Sequence, residues 1–529
     1  MTHPGNRSGS ARIARRSLLA FIAAASAAAV VAGLSATPTA AVVAAADRGA
    51  ERPGAVLRLH PDNPHYFEFR GRPTVLVTSA EHYGAVLNPD FDYQRYLHTL
   101  ARDKLNYTRI FTGNYAEYKD AFTSSGVKNT LGPAEGRLLA PWARSDVPGY
   151  ANGGNKFDLS RWDPAYFARL RDFVAQASRR GIVVEVALFS VNYNETNWGL
   201  SPLKAANNIN GVGNVAWNQT YNFTDPGLQA AQEAMSRKIV TELRDFDNVI
   251  FEIINEPTIS RRVLASWQER IAAVIVETEA GLPPHRRHLI AQNIHPVVGG
   301  PQTPAQWTIT DPNPAVSLFN FHYATPGVVR DNYGLNKAIG HDETGFTGPT
   351  DTPYRIQGWR FLLAGGALYN NLDFSFSVDS PEGQEPLPPQ AIGGGSQELR
   401  NQLRVLKDFL ERLDFINMVP DRSVIAGALP ADIRAEALVR DGLEYAIYLD
   451  DGGVGNRGGG GNSPNVERQV PLTLSLPAGH YHAEWLNPTS GDVVQRENLH
   501  HDGGEVTFDS PTFRQDVALH ITRQGPRPR

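Results

Sequence analysis

Cysteine is missing from all 529 residues, which excludes disulfides, thiolate metal sites and a cysteine nucleophile, and leaves stability to packing. Also missing after residue 46 is any run of lysine and arginine that could follow a phosphate backbone; pairs such as Arg179-Arg180 read as solvated surface. The formal net charge is −5, and the first 46 residues hold four arginines with no acid or lysine, which leaves the remainder at a formal −9. No nucleic-acid partner is expected from such a chain. Metal chemistry in a barrel generally needs paired histidines on the first strand and more on later ones. Only Glu81, His82 and Glu185 offer themselves, so no metal and no cofactor is expected.

What is there begins with a leader. Arg7, Arg12, Arg15 and Arg16 precede the apolar stretch from Leu18 to Leu34, and small residues follow from Ala40 to Ala46. This is the pattern of an export signal over residues 1–46, removed from the mature protein; an uncleaved membrane anchor is the competing reading. Arg15-Arg16 followed by Ser17-Leu18-Leu19 resembles a twin-arginine signal, which implies export of a folded protein. A secreted or cell-envelope location follows as the expectation, with no stable membrane association once the signal is cleaved.

From about residue 55 short β-rich runs alternate with amphipathic helical stretches, the pattern of an α/β protein. Asp163 caps one predicted helix with Pro164 in its first position; Tyr166, Phe167, Leu170, Phe173 and Val174 share a face, and Gly181 ends it. Eight strands are predicted: Thr74 to Thr78, Tyr107 to Phe111, Ile182 to Leu188, Asn248 to Ile254, His288 to Gln292, Val316 to Phe321, Ala338 to Gly340 and Ala367 to Leu372. Eight is the number that closes a (β/α)8 TIM barrel. An open doubly wound sheet is the alternative, but it carries a glycine-rich phosphate turn after its first strand. Here that place holds Ser79-Ala80-Glu81-His82-Tyr83. Leu399, Leu403, Leu406, Leu410 and Leu413 mark a closing helix, so the barrel is assigned to residues 47–418. Residues 419–529 read as a small all-β sandwich, with runs at Glu444 to Leu449, Val470 to Leu476, Tyr481 to Leu486, Glu505 to Phe508 and Val517 to Ile521. The loop from Gly452 to Asn462 is low in complexity.

Two insertions enlarge the barrel, residues 112–160 after the second strand and 189–228 after the third. Both follow carboxyl ends of strands, where barrel enzymes place their sites. They contain Trp142, Trp198 and Trp217, whose rings either stack on apolar sugar faces or pack small cores of their own. Trp198 is the substrate-binding candidate among them.

The most informative string is Asn248-Val-Ile-Phe-Glu-Ile-Ile-Asn255-Glu256-Pro257, an apolar strand ending in an amide, a carboxyl group and a chain stop. Cleaving a glycosidic bond needs one carboxylic acid to protonate the leaving oxygen and one carboxylate to attack or to activate water. In this string the chain resembles glycoside hydrolase clan A, the superfamily of cellulase-like and mannanase-like barrels, in which a strand-four Asn-Glu ends on the acid/base. The resemblance implies a nucleophile at the end of strand seven, where Ala338-Ile-Gly-His-Asp-Glu343-Thr-Gly345 offers Glu343. It also implies that His322 or Tyr323, from strand six, and Arg109, from strand two, bond to that nucleophile, and that Asn255 contacts the sugar's 2-hydroxyl. Double displacement with retention by Glu256 and Glu343 would follow, on β-linked oligo- or polysaccharides, with the carboxyl groups about 5 to 5.5 Å apart.

Each residue has a second reading. Asp342 could replace Glu343; Arg109 could pair with Glu252, which shares the parity of Glu256 along its strand; His322 could be a core histidine. A carbohydrate-binding barrel without turnover is the alternative function. The sequence also departs from the clan, with Tyr369-Asn-Asn-Leu-Asp373-Phe374-Ser-Phe376 where a tryptophan usually ends strand eight, and Phe189-Ser190 where a histidine is common. The string Trp485-Leu-Asn487-Pro488-Thr-Ser-Gly491 resembles a hairpin of the sandwiches appended to several barrel hydrolases, and packing against the barrel is its expected role over independent carbohydrate binding.

Overall fold

The computed structural model describes residues 55–257, 263–294, 307–453 and 466–525. The leader over 1–46 and most of the glycine-rich loop lie outside the described residues. No described helix is long and apolar enough to cross a membrane.

Eight parallel strands form the barrel: β1 (Leu76–Ala80), β2 (Tyr107–Phe111), β3 (Val183–Ala187), β4 (Val249–Glu252), β5 (Leu289–Ile294), β6 (Leu318–His322), β7 (Ala338–Thr344) and β8 (Leu368–Leu372). Hydrogen bonds run continuously from β2 through β3 to β8 and back to β1. The seam between β1 and β2 is joined by backbone bonds from the Asn106 amide to the Val77 carbonyl (3.3 Å) and from the Phe111 amide to the Tyr83 carbonyl (3.0 Å), and by one side chain. Asn106 Nδ2 donates to the Val75 carbonyl (2.8 Å), and its Oδ1 accepts from the Val77 amide (2.9 Å). An asparagine can do this because it carries donor and acceptor on one planar group, mimicking a missing strand partner.

The helix expected after Asp163 forms as α2 (Pro164–Arg179), with Asp163 accepting from the Ala165 amide and the predicted face buried. Gly181 stands at φ 70°, a left-handed position that glycine takes without a Cβ penalty. Each large apolar side chain on that face contributes about 1.5–3 kcal/mol by leaving water. The closing helix α8 (Gln397–Arg412) starts on Ser396, whose hydroxyl accepts from the Leu399 amide.

β7 runs four residues further than its apolar pattern indicated. Its pairing slips by one residue against both neighbours: Asn320 faces Gly340 but His322 faces Glu343, and His341 faces Tyr369 but Thr344 faces Asn371. β7 therefore carries one extra residue near Asp342. Neighbours on a regular strand point to opposite faces; this bulge lets Asp342 and Glu343 both turn toward the barrel axis.

Beyond the barrel, six antiparallel strands pair in the order Val419–Pro420, Arg434–Arg440, Glu444–Asp450, Asp516–Gln524, Gly479–Leu486, Val493–His501, and a two-stranded ribbon, Pro471–Leu476 with Gly504–Asp509, packs on them. Leu472 and Leu474 of the ribbon share a buried core with Ile447, Leu449 and Trp485. This β unit packs on helices of the barrel. The Arg355 guanidinium clasps Asp516 through two bonds of 2.9 Å, and Trp359 stacks on Tyr448 at 5.3 Å. The turn of the Trp485–Gly491 hairpin lies so close to α8 that a Cβ on Gly491 would stand 3.1 Å from Val405. Packing against the barrel, the role expected for this hairpin, is what the structure shows.

Candidate active site

Arg109, Asn255, Glu256, His322, Tyr323 and Glu343 converge at the carboxyl end of the barrel, on or just after β2, β4, β6 and β7. Three residues separate the end of β4 from Glu256. Over that stretch the chain stays docked on its neighbours: the Asn255 amide donates to the Phe189 carbonyl (2.9 Å), and the Glu256 amide donates to Asn293 Oδ1 (3.2 Å). Glu256 itself takes φ 52°, Tyr323 φ 54° and Tyr83 φ 57°. Left-handed backbone costs residues with a Cβ on the order of 1–3 kcal/mol and persists only where surroundings enforce it, most often at functional sites.

The two glutamates face each other. His322 Nδ1 lies 2.9 Å from Glu256 Oε1 and 3.7 Å from Glu343 Oε1. Ligand atoms of Glu256, His322 and Glu343 all fall within 4.8 Å of one another. Glu256 also accepts from the Tyr193 hydroxyl at 2.5 Å. Glu343 accepts from two phenols, Tyr83 at 2.9 Å on Oε2 and Tyr323 on Oε1. The cavity above them, about 250 Å³, is walled by aromatic and aliphatic side chains together with Glu117.

Beneath the glutamates lies a buried charge network. Arg109 forks onto Glu252, with Nε–Oε2 at 2.9 Å and Nη2–Oε1 at 2.6 Å, and Nη2 also reaches Asn255 Oδ1 at 2.8 Å. Its further neighbours are Asp342 at 3.2 Å and Glu343 at 3.5 Å. Both readings of Arg109 therefore hold in part: it is chiefly the structural partner of Glu252, and it adds a positive charge near Glu343. The same fork fixes the Asn255 amide, whose Nδ2 points to Ser190 and Tyr193. The planar, delocalised guanidinium suits this multiple role in a way a lysine ammonium does not.

Proton positions follow from these neighbours. Burial alone would lower the pKa of His322, but the charges of Glu343 and Asp342 raise it well above the usual histidine value. Burial pushes Asp342 up, yet His322 and Arg109 outweigh it and hold the carboxyl below its ordinary range. Burial, with the charge of Glu256, raises Glu343, while His322, Arg109 and the Tyr323 hydroxyl oppose the rise. Two carboxyls this close resist ionising together. On Glu343 itself His322, Arg109 and the Tyr323 hydroxyl favour the negative charge, against the burial and the neighbouring Glu256 that raise its pKa overall. Deeper still, burial and the charge of Glu252 raise Glu185 far above the carboxylate range, and it bonds to Tyr107 and Asn320.

Two groups of carboxylates and histidine have the spacing of metal ligands, Glu256-His322-Glu343 and Glu185-Glu252-Asp342. Their chemistry does not suit a cation. Both nitrogens of His322 face carboxylates, at 2.9 Å and 3.3 Å, and a protonated imidazole is no ligand. In the inner group the oxygens of Glu185 accept from Tyr107 and Asn320 and those of Glu252 from Arg109, while Asp342 is paired with Arg109 at 3.2 Å. Glu81 is likewise occupied, by the Gly84 and Ala85 amides and the Thr130 hydroxyl.

Trp198 does not join the site. It is 1% exposed, its Nε1 donates to the Val215 carbonyl at 2.9 Å, and it is absent from the cavity wall. Trp142 is equally buried and stacks on Trp162. Both rings belong to the apolar core that runs continuously from the barrel into the two insertions. His322 lies below the cavity and bonds to Glu256 rather than directly to Glu343. Sequence reasoning missed Tyr83, Tyr193 and Glu117 in the cavity. Tyr83 had a signal, since it follows β1 where a barrel places site residues; Tyr193 and Glu117 stand near the starts of the two insertions, whose course no periodicity reveals.

The chain matches no protein-family profile and no curated protein. Solved structures do resemble it. A glycoside hydrolase is 14% identical with a TM-score of 0.57 over 89% of this chain and 97% of its own. A glycoside hydrolase family 5 protein from Bacteroides vulgatus is 14% identical, TM-score 0.57, over 88% and 93%. A putative glycoside hydrolase from the same organism is 15% identical, TM-score 0.57, over 90% and 84%. At these identities the likeness is one of fold, a glycoside-hydrolase type of barrel with its antiparallel β unit, and it spans most of the chain.

Proposed function

We propose that this protein is an exported retaining glycoside hydrolase that cleaves β-linked oligo- or polysaccharides, with Glu256 as acid/base and Glu343 as nucleophile. The observation that carries this reading is the approach of the two carboxyl groups, oxygens within 4.8 Å, across a cavity at the barrel mouth. Retaining enzymes hold their carboxyls about 5–5.5 Å apart, whereas inverting ones leave about 6.5–9.5 Å for a water.

The steps follow from the neighbours of each group. Glu256 gives its proton to the departing glycosidic oxygen while Glu343 attacks the anomeric carbon, forming a glycosyl-enzyme ester. Tyr83, Tyr323 and Arg109 keep Glu343 charged and aimed until that bond forms. Glu256, then ionised, takes a proton from water, which displaces the sugar from Glu343 with overall retention. Asn255, fixed by Arg109, is placed to bond a sugar hydroxyl beside the reacting centre. A basic and apolar leader over 1–46 fits an enzyme that meets its polysaccharide outside the cytoplasm.

The test is hydrolysis of aryl β-glycosides and β-linked polysaccharides by wild type, Glu256→Ala and Glu343→Ala, with azide added to the variants. Loss of turnover in both variants and capture of a glycosyl azide are expected. Full activity in either variant would overturn the assignment, and substrate binding with no turnover by wild type would favour a non-catalytic binder.

A further inference from the structure

Glu343 is enclosed by rings. Starting at Tyr323, which bonds one of its oxygens, the contacts run to Phe346 (5.7 Å between centroids), on to Phe374 (6.0 Å), then to Phe122 (6.1 Å) and His82 (5.4 Å), and return through His82 to Tyr83 (5.7 Å), which bonds the other oxygen. The belt is assembled from segments after β1, β2, β6, β7 and β8. Phe374 belongs to the run after β8 in which no tryptophan occurs. In a double displacement the sugar held on Glu343 lies on this side, and the leaving group departs past Glu256. Rings, the buried Phe374 and His82 among them, thus stand around the glutamate that would carry that sugar. A cavity of about 250 Å³ lies below the range of roughly 300–1,000 Å³ typical for ligands of drug size, and it suits one sugar ring.

Glu117, from the insertion after β2, stands in the same cavity. Tyr115 donates to its Oε1 at 3.1 Å and Asn129 Nδ2 to its Oε2. A carboxylate offers about four acceptor positions, so two remain for hydroxyl groups of a ligand. Neither bond that holds it comes from a cation, and burial raises its pKa to about 7. Such a carboxyl is available to neutral hydroxyl donors.

Building on the hydrolase reading above, we propose that the cavity admits a single terminal glycosyl unit, so that the enzyme acts from chain ends and releases monosaccharides, and that Glu117 determines specificity by bonding ring hydroxyls of that unit. The class of substrate is a neutral sugar with free hydroxyls at the chain terminus, not the interior of a polymer.

The experiment is covalent trapping on the full chain, read as intact mass. Wild type is incubated with 2,4-dinitrophenyl 2-deoxy-2-fluoro-β-glycosides of gluco, galacto, manno and xylo configuration, each as a monosaccharide and as the corresponding β-linked disaccharide. The expected result is addition of one monosaccharide unit at Glu343, with the disaccharide reagents at least tenfold slower. Glu117→Gln should slow the monosaccharide label on the order of ten- to a hundredfold, the loss of hydrogen bonds to a charged group, with an unchanged circular dichroism spectrum. Phe346→Ala, which opens the belt, should let the disaccharide reagents react. Equal labelling by mono- and disaccharide reagents overturns chain-end action while leaving the nucleophile assignment intact. Unchanged labelling in Glu117→Gln overturns the role of Glu117. No label from any reagent overturns the hydrolase reading, and the chain-end proposal falls with it.

Discussion

Replacing Arg109 by methionine tests the buried network most directly. The guanidinium is fully buried and makes two bonds to Glu252, one to Asn255 and close approaches to Asp342 and Glu343. Methionine fills similar space without charge, so packing loss is small and the electrostatic loss dominates. Asp342 retains His322 at 3.3 Å, whereas Glu252 loses its bidentate partner. Breaking one buried pair by removing a single partner costs about 3–5 kcal/mol, because the remaining charge is stranded away from water. Guanidinium unfolding should therefore show Arg109→Met less stable by that amount near neutral pH. The pH dependence has a defined sign. In wild type the lowered pKa of Asp342 contributes stability that is present above its unfolded pKa and lost as pH falls through its folded one. Arg109→Met gives up part of that contribution, so the deficit against wild type is largest near neutrality and narrows in acid, where protonated carboxyls need no cation. Adding Glu252→Leu should recover much of the loss, since replacing both members of a buried pair is far less costly than removing one. A loss under about 1 kcal/mol, or one independent of pH, would refute the reasoning.

Tyr323→Phe removes one of the two phenols on Glu343, and kcat should fall about ten- to a hundredfold with little change in KM; an unchanged kcat would show that Tyr83 and Arg109 suffice. Glu117, raised to about 7 by burial, contributes stability while protonated, fully present below its unfolded pKa and lost as pH rises through about 7; thermal melts of Glu117→Gln should be flatter than wild type across that interval. Arg355→Met strands Asp516 at the contact between barrel and β unit, and should lower stability by about 3–5 kcal/mol while leaving the KM for aryl glycosides unaltered; a changed KM would mean that the β unit shapes the cavity. Trp198→Phe should cost about 1–2 kcal/mol through its lost bond to Val215, without altering the spectrum of products.

The strand run of β2 and the capped helix α2 formed where the pattern placed them, because alternation, caps and chain stops are local properties. The seven other strands moved at their ends by one to four residues. β7 departed most, since its polar end, His341-Asp342-Glu343-Thr344, looks like a loop in sequence yet is buried and paired. A bulge is a property of neighbouring strands and has no local signature. The three strands of the β unit that pattern reading overlooked, Val419–Pro420, Arg434–Arg440 and Val493–His501, include one that alternates only between exposed and half-buried residues.

From its own sequence this protein declared a barrel, because eight apolar runs with chain stops at their carboxyl ends leave few other ways to bury so much surface, while Glu343 was picked out through the resemblance of the Asn255-Glu256 string to clan A. The parity of Glu252 even suggested its pairing with Arg109. Tertiary structure decided the rest: that Trp198 packs into the core beside the barrel, that Tyr83 and Tyr193 hold the glutamates, that His322 bonds Glu256, and that rings from five separate loops gather around Glu343. Periodicity reports which side of an element is buried; where long loops meet is set by packing among residues far apart in the chain, and only the folded molecule contains that information.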